Sequence, residues 1–393
     1  MASAPAVYGT VAPGFEHCAD AFAKALTQAE TGAACAIQVD GETVVDLWGG
    51  LADPVSGQPW TRDTVVPVFS VSKGVAAVCV LHLVSAGLLD LDAPVAAYWP
   101  EFAAHGKDRV TIREALAHRA AVPFVDGAVD LADLADVKGM AARLAAQPPL
   151  FEPGSAHLYH ALSIGWITSE LVRRATGISL GEWLSTNVAE PLDLAMYFGL
   201  PQGERSRVAK LVHRDPALWD AGLAMQLSEG SVNWKTLTLN GCLSFSSNFG
   251  DRSLGDPNVL ALELAGGGLV TNALSLATFY TACLKPVSGI RLMTDEVIAD
   301  ASRPVSTGVQ SGMTEDGPAW GAGIMVPWRV QPMLGGASFG HDGMGGSLAF
   351  AEPSRRVSFA YVRNGMAVGG IADPEVYAVV EALRHVLGKG GDQ

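Results

Sequence analysis

The sequence predicts an α/β (α+β) protein: a five-stranded, mostly antiparallel sheet flanked by N- and C-terminal helices, with a helical domain inserted in its middle. Three observations lead there. Strand-like runs lie near both chain ends and are absent from the middle. The middle carries helical spacing over much of its length. Each end also supplies a helix, at 15–30 and at 373–387. Strands from both termini can share one core only if the helical stretch between them is an insertion. The expected division is 1–88 with 265–393 for the sheet domain and 89–264 for the insertion, with the active site at their interface.

The elements follow in order. Phe15, Ala19, Phe22 and Leu26 repeat with helical spacing. "AACAIQVDGETVVDLWGG" is two β-rich runs around Asp40–Gly41, a hairpin signal. A loop, "LADPVSGQPWTRDT", leads into an apolar helix beginning near Ser70. Helices are expected at 111–119, 133–147, 161–177 with Gly177 as C-cap, and 179–192. Residues 200–260, rich in Gly, Ser and Asn, receive no assignment. Helical structure resumes over 266–284 with Thr271 or Asn272 as N-cap. "WGAGIMVPW" (320–328), "GGSLAFAEP" (345–353) and "RRVSFAYVRN" (355–364) complete the five strands.

Composition narrows the function. Of 393 residues, 49% are hydrophobic and 17% charged, which supports a large core and excludes wholesale disorder. The net charge is −14 with no basic stripe, so neither nucleic acid nor anionic membrane is expected as a partner. The five cysteines form no CxxC pair, and "MASAPAVYGTVAPG" has neither a basic nor an apolar leader region. A reduced, cytoplasmic setting is expected. The run 74–89 is shorter than the roughly 20 residues a membrane span needs, and is expected to be a buried helix.

Within that run lies the chemistry. From Thr64 to Leu89 the only formally charged side chain is Lys73, three residues after Ser70. Positions i and i+3 of a helix share a face. Near a helix N-terminus and among apolar neighbours, a lysine is pushed toward its neutral amine. A neutral amine beside a hydroxyl can take its proton and make Ser70 a nucleophile. The alternative is that Lys73 reaches solvent along its stem and Ser70 only caps the helix.

Ser-x-x-Lys is the nucleophile motif of serine β-lactamases and penicillin-binding proteins. The chain resembles that superfamily from about residue 15 to 388, in "PVFSVSKGVAAVCVLHLVSAGLLDLDAPVAAYWPEF", "VTIREALAHRAAVP", "FEPGSAHLYHALSIGWITSELVRRATG", "AGGGLVTNALSLATFY" and "FGHDGMGGSLAFAEPSRRVSFAYVRN". Within it the chain is most similar to family VIII carboxylesterases, which share the class C β-lactamase fold. The resemblance implies Ser70 as nucleophile, Lys73 as general base, and Tyr159 as second base and acid toward the leaving group. It implies an oxyanion hole from the backbone N–H groups of Ser70 and Met344. His341, Asp342 and Gly343 would border the substrate.

The departures from the family pattern carry substrate information. Ala161 stands where class C enzymes have an amide-recognising asparagine, and His341-Asp342-Gly343 replaces lysine-threonine-glycine. An aspartate there repels the carboxylate that the lysine and threonine would hold, which favours neutral esters. Gly343 leaves room for close approach at the strand edge.

Competing motifs are weaker. "GASFG" (336–340) fits a G-x-S-x-G elbow around Ser338, but strand rather than helix follows it. His157 and His160 have no third ligand at a metal-binding spacing, and a solvent-facing or site-lining place is expected for them. His118 is assigned to hydrogen bonding within the helical domain. Trp219, Trp234, Trp320 and Trp328 are candidates to wall an apolar pocket. The sequence therefore points to a serine hydrolase acting on carboxylic esters, with short acyl chains implied by the resemblance, and requiring neither metal nor organic cofactor. The alternatives on the same residues are β-lactam hydrolysis, D-amino-acid peptide or amide cleavage, and acyl transfer. A catalytically silent protein of this fold is a further one. Oligomeric state is not legible.

Overall fold

The computed structural model describes residues 6–26, 31–247, 249–331, 333–367 and 373–389. Its main sheet collects strands from both ends of the chain. They are β1 (Val7–Val11), β2 (Gly32–Val39), β3 (Glu42–Asp53), β4 (Ala319–Trp320), β5 (Met325–Val326), β6 (Phe339–Gly343), β7 (Ser347–Glu352) and β8 (Val357–Arg363). The order is β1-β3-β2-β8-β7-β6-β5-β4, with every neighbouring pair antiparallel. A two-residue strand, Gln58–Pro59, adds to β3.

Five strands of this sheet, β2, β3, β6, β7 and β8, are the long antiparallel core that the sequence leads one to expect. One member differs. The expected strand over 320–328 is reduced to β4 and β5, because the chain reverses between them at Gly321–Gly323, with Gly323 at φ +82°. Its place is taken by β6, which carries His341, Asp342 and Gly343, and β1, equal to β6 in length, adds a sixth strand that the sequence pattern does not lead one to expect.

The helices used below are α1 (Glu16–Ala25), α2 (Val71–Ser85), α3 (Ile112–Leu116), α4 (Val137–Ala146), α5 (Ile164–Thr176), α6 (Ala273–Leu284) and α7 (Pro374–Lys389). Side-chain alternation assigns two of them to each face of the sheet. Cys35, Ile37, Phe350 and Phe359 face α1 and α7, where they pack with Phe22, Val379 and Leu383. The intervening Ala34, Ala36, Ala349, Ala351 and Ala360 face α2 and α6. Small residues on that face let two helices lie close. On the other face the cross-strand pair Phe350 and Phe359 stacks with centroids 5.0 Å apart, worth about 0.5–1.5 kcal/mol beyond burial.

α2 is apolar all round and buried along nearly its whole length, as a central helix must be. Among the described residues no helix is long and apolar enough to cross a membrane. The helix expected over 15–30 forms over Glu16–Ala25, residues 27–30 lying outside the described ones. The run 133–147 is two helices, because the Asp136 carboxylate caps a fresh N-terminus by accepting from the Gly139 N–H at 2.9 Å. α5 ends at Gly177 with φ +84°, as expected. Asn272 rather than Thr271 caps α6, its side chain accepting from the Ser275 N–H. The run 179–192 is a short helix, Leu180–Leu184, followed by a π-type turn over Ser185–Ala189. Among the described residues, 200–260 hold a 3-10 helix, Gln202–Arg207, a two-residue strand, Val212–His213, and three α-helices, Pro216–Gln226, Val232–Thr238 and Pro257–Leu260, each α-helix opened by a capping Asp or Ser.

Candidate active site

Ser70 sits where the chain turns into α2. Phe69 before it is held at φ +50°, a left-handed conformation that costs a bulky residue roughly 1–3 kcal/mol. Three hydrogen bonds fix the strained turn: the Phe69 carbonyl accepts from the Ser72 amide and from the Ser72 hydroxyl, and that hydroxyl in turn accepts from the Leu269 N–H at 2.9 Å. From Thr64 to Leu81, Ser70 alone is not buried. The strain therefore lifts one hydroxyl out of an otherwise enclosed segment.

Lys73 and Tyr159 converge on that hydroxyl. Lys73 Nζ and Tyr159 Oη each lie 2.9 Å from Ser70 Oγ. Lys73 Nζ also donates to the Gly266 carbonyl at 2.6 Å and lies 4.8 Å from the Tyr159 ring centroid. The lysine is buried, 3% exposed, and does not reach solvent. Burial brings it down to about 7, with the Asp342 charge opposing the shift. At neutral pH the amine is thus available as a base. Burial raises Tyr159 above its ordinary value, against the hydrogen bond to Ser70, so its phenol is protonated and donates to Ser70 Oγ.

β6 closes the other side. Its residues alternate: His341 faces α2, where only Gly74 leaves room for it, since a methyl group there would sit 2.5 Å from Tyr280 Oη and 3.3 Å from His341 Cβ. Asp342 faces α7 and borders a small cavity with Gln331, Asp373 and Tyr377. The His341 ring is 6.3 Å from that of Tyr159, and its Nδ1 lies 2.7 Å from the Asp342 carbonyl. Gly343 is required for a different reason from an open edge. A Cβ there would fall 2.3 Å from the Val68 carbonyl, two residues before Ser70. β6 is thereby seated directly against the segment that presents the serine. Met344 follows it and is partly exposed. Among the described residues the amides of Ser70 and Met344 donate to no protein acceptor.

The remaining sequence candidates separate cleanly. Ser338 is buried, its hydroxyl bonded to Glu352 Oε2 at 2.7 Å, and strand follows it, so it is a loop residue. His157 and His160 are both buried, not solvent-facing, and both ring nitrogens of His160 are occupied by backbone groups of Val122 and Leu158. Ala161 is buried beside them. Of the four tryptophans, Trp320 stacks on Tyr159 at 5.5 Å, whereas Trp219 packs against His213. Sequence reasoning missed the Gly266 carbonyl and Gln310, whose Oε1 accepts from the Tyr159 N–H at 2.8 Å. The triplet Gly266–Gly268 was a usable signal of close backbone approach; nothing marked Gln310.

Comparison with known proteins gives one answer. A family model described as beta-lactamase matches residues 17–383. The esterase/beta-lactamase LipL of Mycobacterium tuberculosis is 31% identical over 374 residues, covering 91% of this chain and 83% of the relative. The crystal structure of a family VIII carboxylesterase superposes with a TM-score of 0.85 at 33% identity, covering 97% of this chain and 100% of that one. EstA from Arthrobacter nitroguajacolicus Rue61a gives a TM-score of 0.85 at 32% identity, covering 98% and 99%. On these matches, which run nearly end to end, the chain belongs to the beta-lactamase family.

Proposed function

We propose that the protein is a serine carboxylesterase in which Ser70 is the nucleophile, Lys73 its base and Tyr159 the acid. The observation that supports this most strongly is a single oxygen, Ser70 Oγ, lying 2.9 Å from both Lys73 Nζ and Tyr159 Oη. With Lys73 neutral, two of its valences are N–H bonds and one is a lone pair. One N–H is engaged by the Gly266 carbonyl, which leaves the lone pair for the Ser70 O–H.

The steps follow. Ser70 Oγ attacks the ester carbonyl and its proton passes to Lys73. The Ser70 and Met344 amides hold the oxyanion. The intermediate collapses as Tyr159 gives its proton to the departing alkoxide, and the proton on Lys73 restores the phenol. Water then repeats the sequence on the acyl-enzyme, with Lys73 taking its proton and the Ser70 oxygen leaving protonated. The reacting groups lie at the junction of the sheet unit (1–88 and 265–393) and the helical insertion (89–264).

The preferred substrate is a neutral ester with a short acyl chain. The Asp342 side chain turns toward α7 rather than into the site, but its negative charge acts at Lys73 and Tyr159 and opposes an anionic substrate group there. The five free, buried cysteines favour a cytoplasmic setting. The test is a series of p-nitrophenyl esters of increasing chain length beside a chromogenic cephalosporin, with fluorophosphonate labelling of the wild type and Ser70→Ala. Turnover of short esters, little cephalosporin cleavage and labelling abolished in Ser70→Ala are expected. Undiminished labelling of Ser70→Ala overturns the assignment.

A further inference from the structure

We propose that His118 is the positioning residue for Tyr159, an inference that rests on the catalytic reading above. Three consecutive amides around the tyrosine are bound by only two residues. The Leu158 N–H donates to the His118 carbonyl at 3.1 Å, the Tyr159 N–H to Gln310 Oε1 at 2.8 Å, and the His160 N–H to His118 Nδ1 at 3.1 Å. His118 thus grips the peptide on both sides of Tyr159, once with its backbone and once with its ring.

The grip depends on an unusual backbone. His118 adopts φ +65°, a left-handed conformation uncommon outside glycine but one that histidine visits more readily than most residues. Its carbonyl and its ring then meet the same segment. The ring further presses edge-on against Tyr159, with centroids 4.9 Å apart, and against Trp320 at 4.7 Å. Trp320 stacks on the Tyr159 ring in turn. Because Nδ1 accepts from an amide, the ring proton resides on Nε2, and burial keeps the imidazole neutral. Behind the catalytic phenol, His118 therefore supplies an acceptor and a wall without adding a charge that would compete with Lys73.

A phenol that donates to the departing alkoxide matters most when the leaving group is poor. Displacing it by an ångström costs on the order of 10²-fold on an alkyl ester. An aryl ester such as p-nitrophenyl, whose phenoxide leaves readily without a proton, is affected much less. The experiment compares kcat and KM for an ethyl and a p-nitrophenyl ester of one short acid in the wild type, Tyr159→Phe, His118→Phe and His118→Asn. His118→Phe keeps a ring and removes the acceptor; His118→Asn keeps an acceptor and tolerates the left-handed backbone.

His118→Phe is expected to lose about 10- to 100-fold in kcat on the ethyl ester, with KM nearly unchanged and a markedly smaller loss on the p-nitrophenyl ester. His118→Asn is expected to restore the ratio of the two activities to within about threefold of wild type. Equal losses on both esters in His118→Phe would mean a purely structural role and overturn the inference. Should that variant not fold, His118→Gly, which tolerates the left-handed backbone but lacks the acceptor, decides: equal losses on both esters there also overturn it. Tyr159→Phe itself losing both activities equally would instead contradict the assignment of Tyr159 as acid.

Discussion

Lys73 and Lys107 are the two buried lysines among the described residues, and neither has a carboxylate within ion-pair distance. Both are brought down by burial, Lys73 to about 7 and Lys107 to about 8. Their hydrogen bonds differ. Lys107 Nζ donates to two carbonyls, Ala104 at 2.7 Å and Gln147 at 2.6 Å, and ties the end of α4 to the 3-10 helix Pro100–Gly106 that precedes the lysine. Lys73 donates to one carbonyl and has a hydroxyl as its second neighbour. A depressed lysine alone is therefore no sign of catalysis. What separates the two is whether the second partner of the amine is an oxygen that has a proton to give.

Substituting each lysine in turn tests that distinction, and the largest effect is on turnover. Lys73→Ala is expected to lower kcat on a p-nitrophenyl ester by about 10²–10⁴-fold, the range for a lost general base. Its resistance to urea should be equal to or above that of the wild type, because a buried amine at an active site is retained for function rather than stability. A loss of activity below about tenfold would put Lys73 in the same class as Lys107.

The reverse is expected of Lys107→Met. It leaves the Gln147 carbonyl buried without its donor, which costs about 1–3 kcal/mol, and urea unfolding should show a loss of that size. Its kcat should stay within about twofold of wild type, since nothing is lost from the reacting groups. A large drop in kcat with stability intact would erase the contrast.

The smallest effect sharpens the comparison through pH. A lysine whose folded value lies below its unfolded one is protonated in the unfolded chain and neutral in the folded one between the two values. Unfolding then takes up a proton, and stability rises with pH across that window. The window runs from about 8 to 10.5 for Lys107 and from about 7 to 10.5 for Lys73. Lys107→Met should flatten the urea-measured stability profile only above about pH 8, whereas Lys73→Met should flatten it from about pH 7. Identical profiles for the two variants would contradict the difference in their surroundings.

The two lysines also show what a sequence can disclose. Lys73 stands out because it is the one formal charge between Thr64 and Leu89, and an apolar run on a helix buries whatever lies within it. Lys107 lies in "HGKDR", among charged neighbours, and looks like a solvated turn. Its burial is made by the end of α4, forty residues on, and local pattern carries no trace of that contact. The fold divides in the same way. Hairpin and helix signals of long elements are legible because hydrophobic period reports the buried face. The strand over 320–328 failed because two glycines turned it, and the helix over 133–147 failed because Asp136 can equally be interior or cap. At the site, Ser70, Lys73 and Tyr159 are legible through motif and resemblance. The clamp by His118 and Gln310 is not, because it is built from backbone amides that any residue supplies.

The most direct test of the central claim is the rate of Ser70 phosphonylation by a fluorophosphonate probe as a function of pH. A neutral Lys73 amine activating Ser70 requires a rate that climbs as pH rises through about 7 and then levels, with the climb absent in Lys73→Ala. A rate that is flat from pH 6 to 9, or that begins to rise only near the ordinary lysine value of about 10.4, would contradict it.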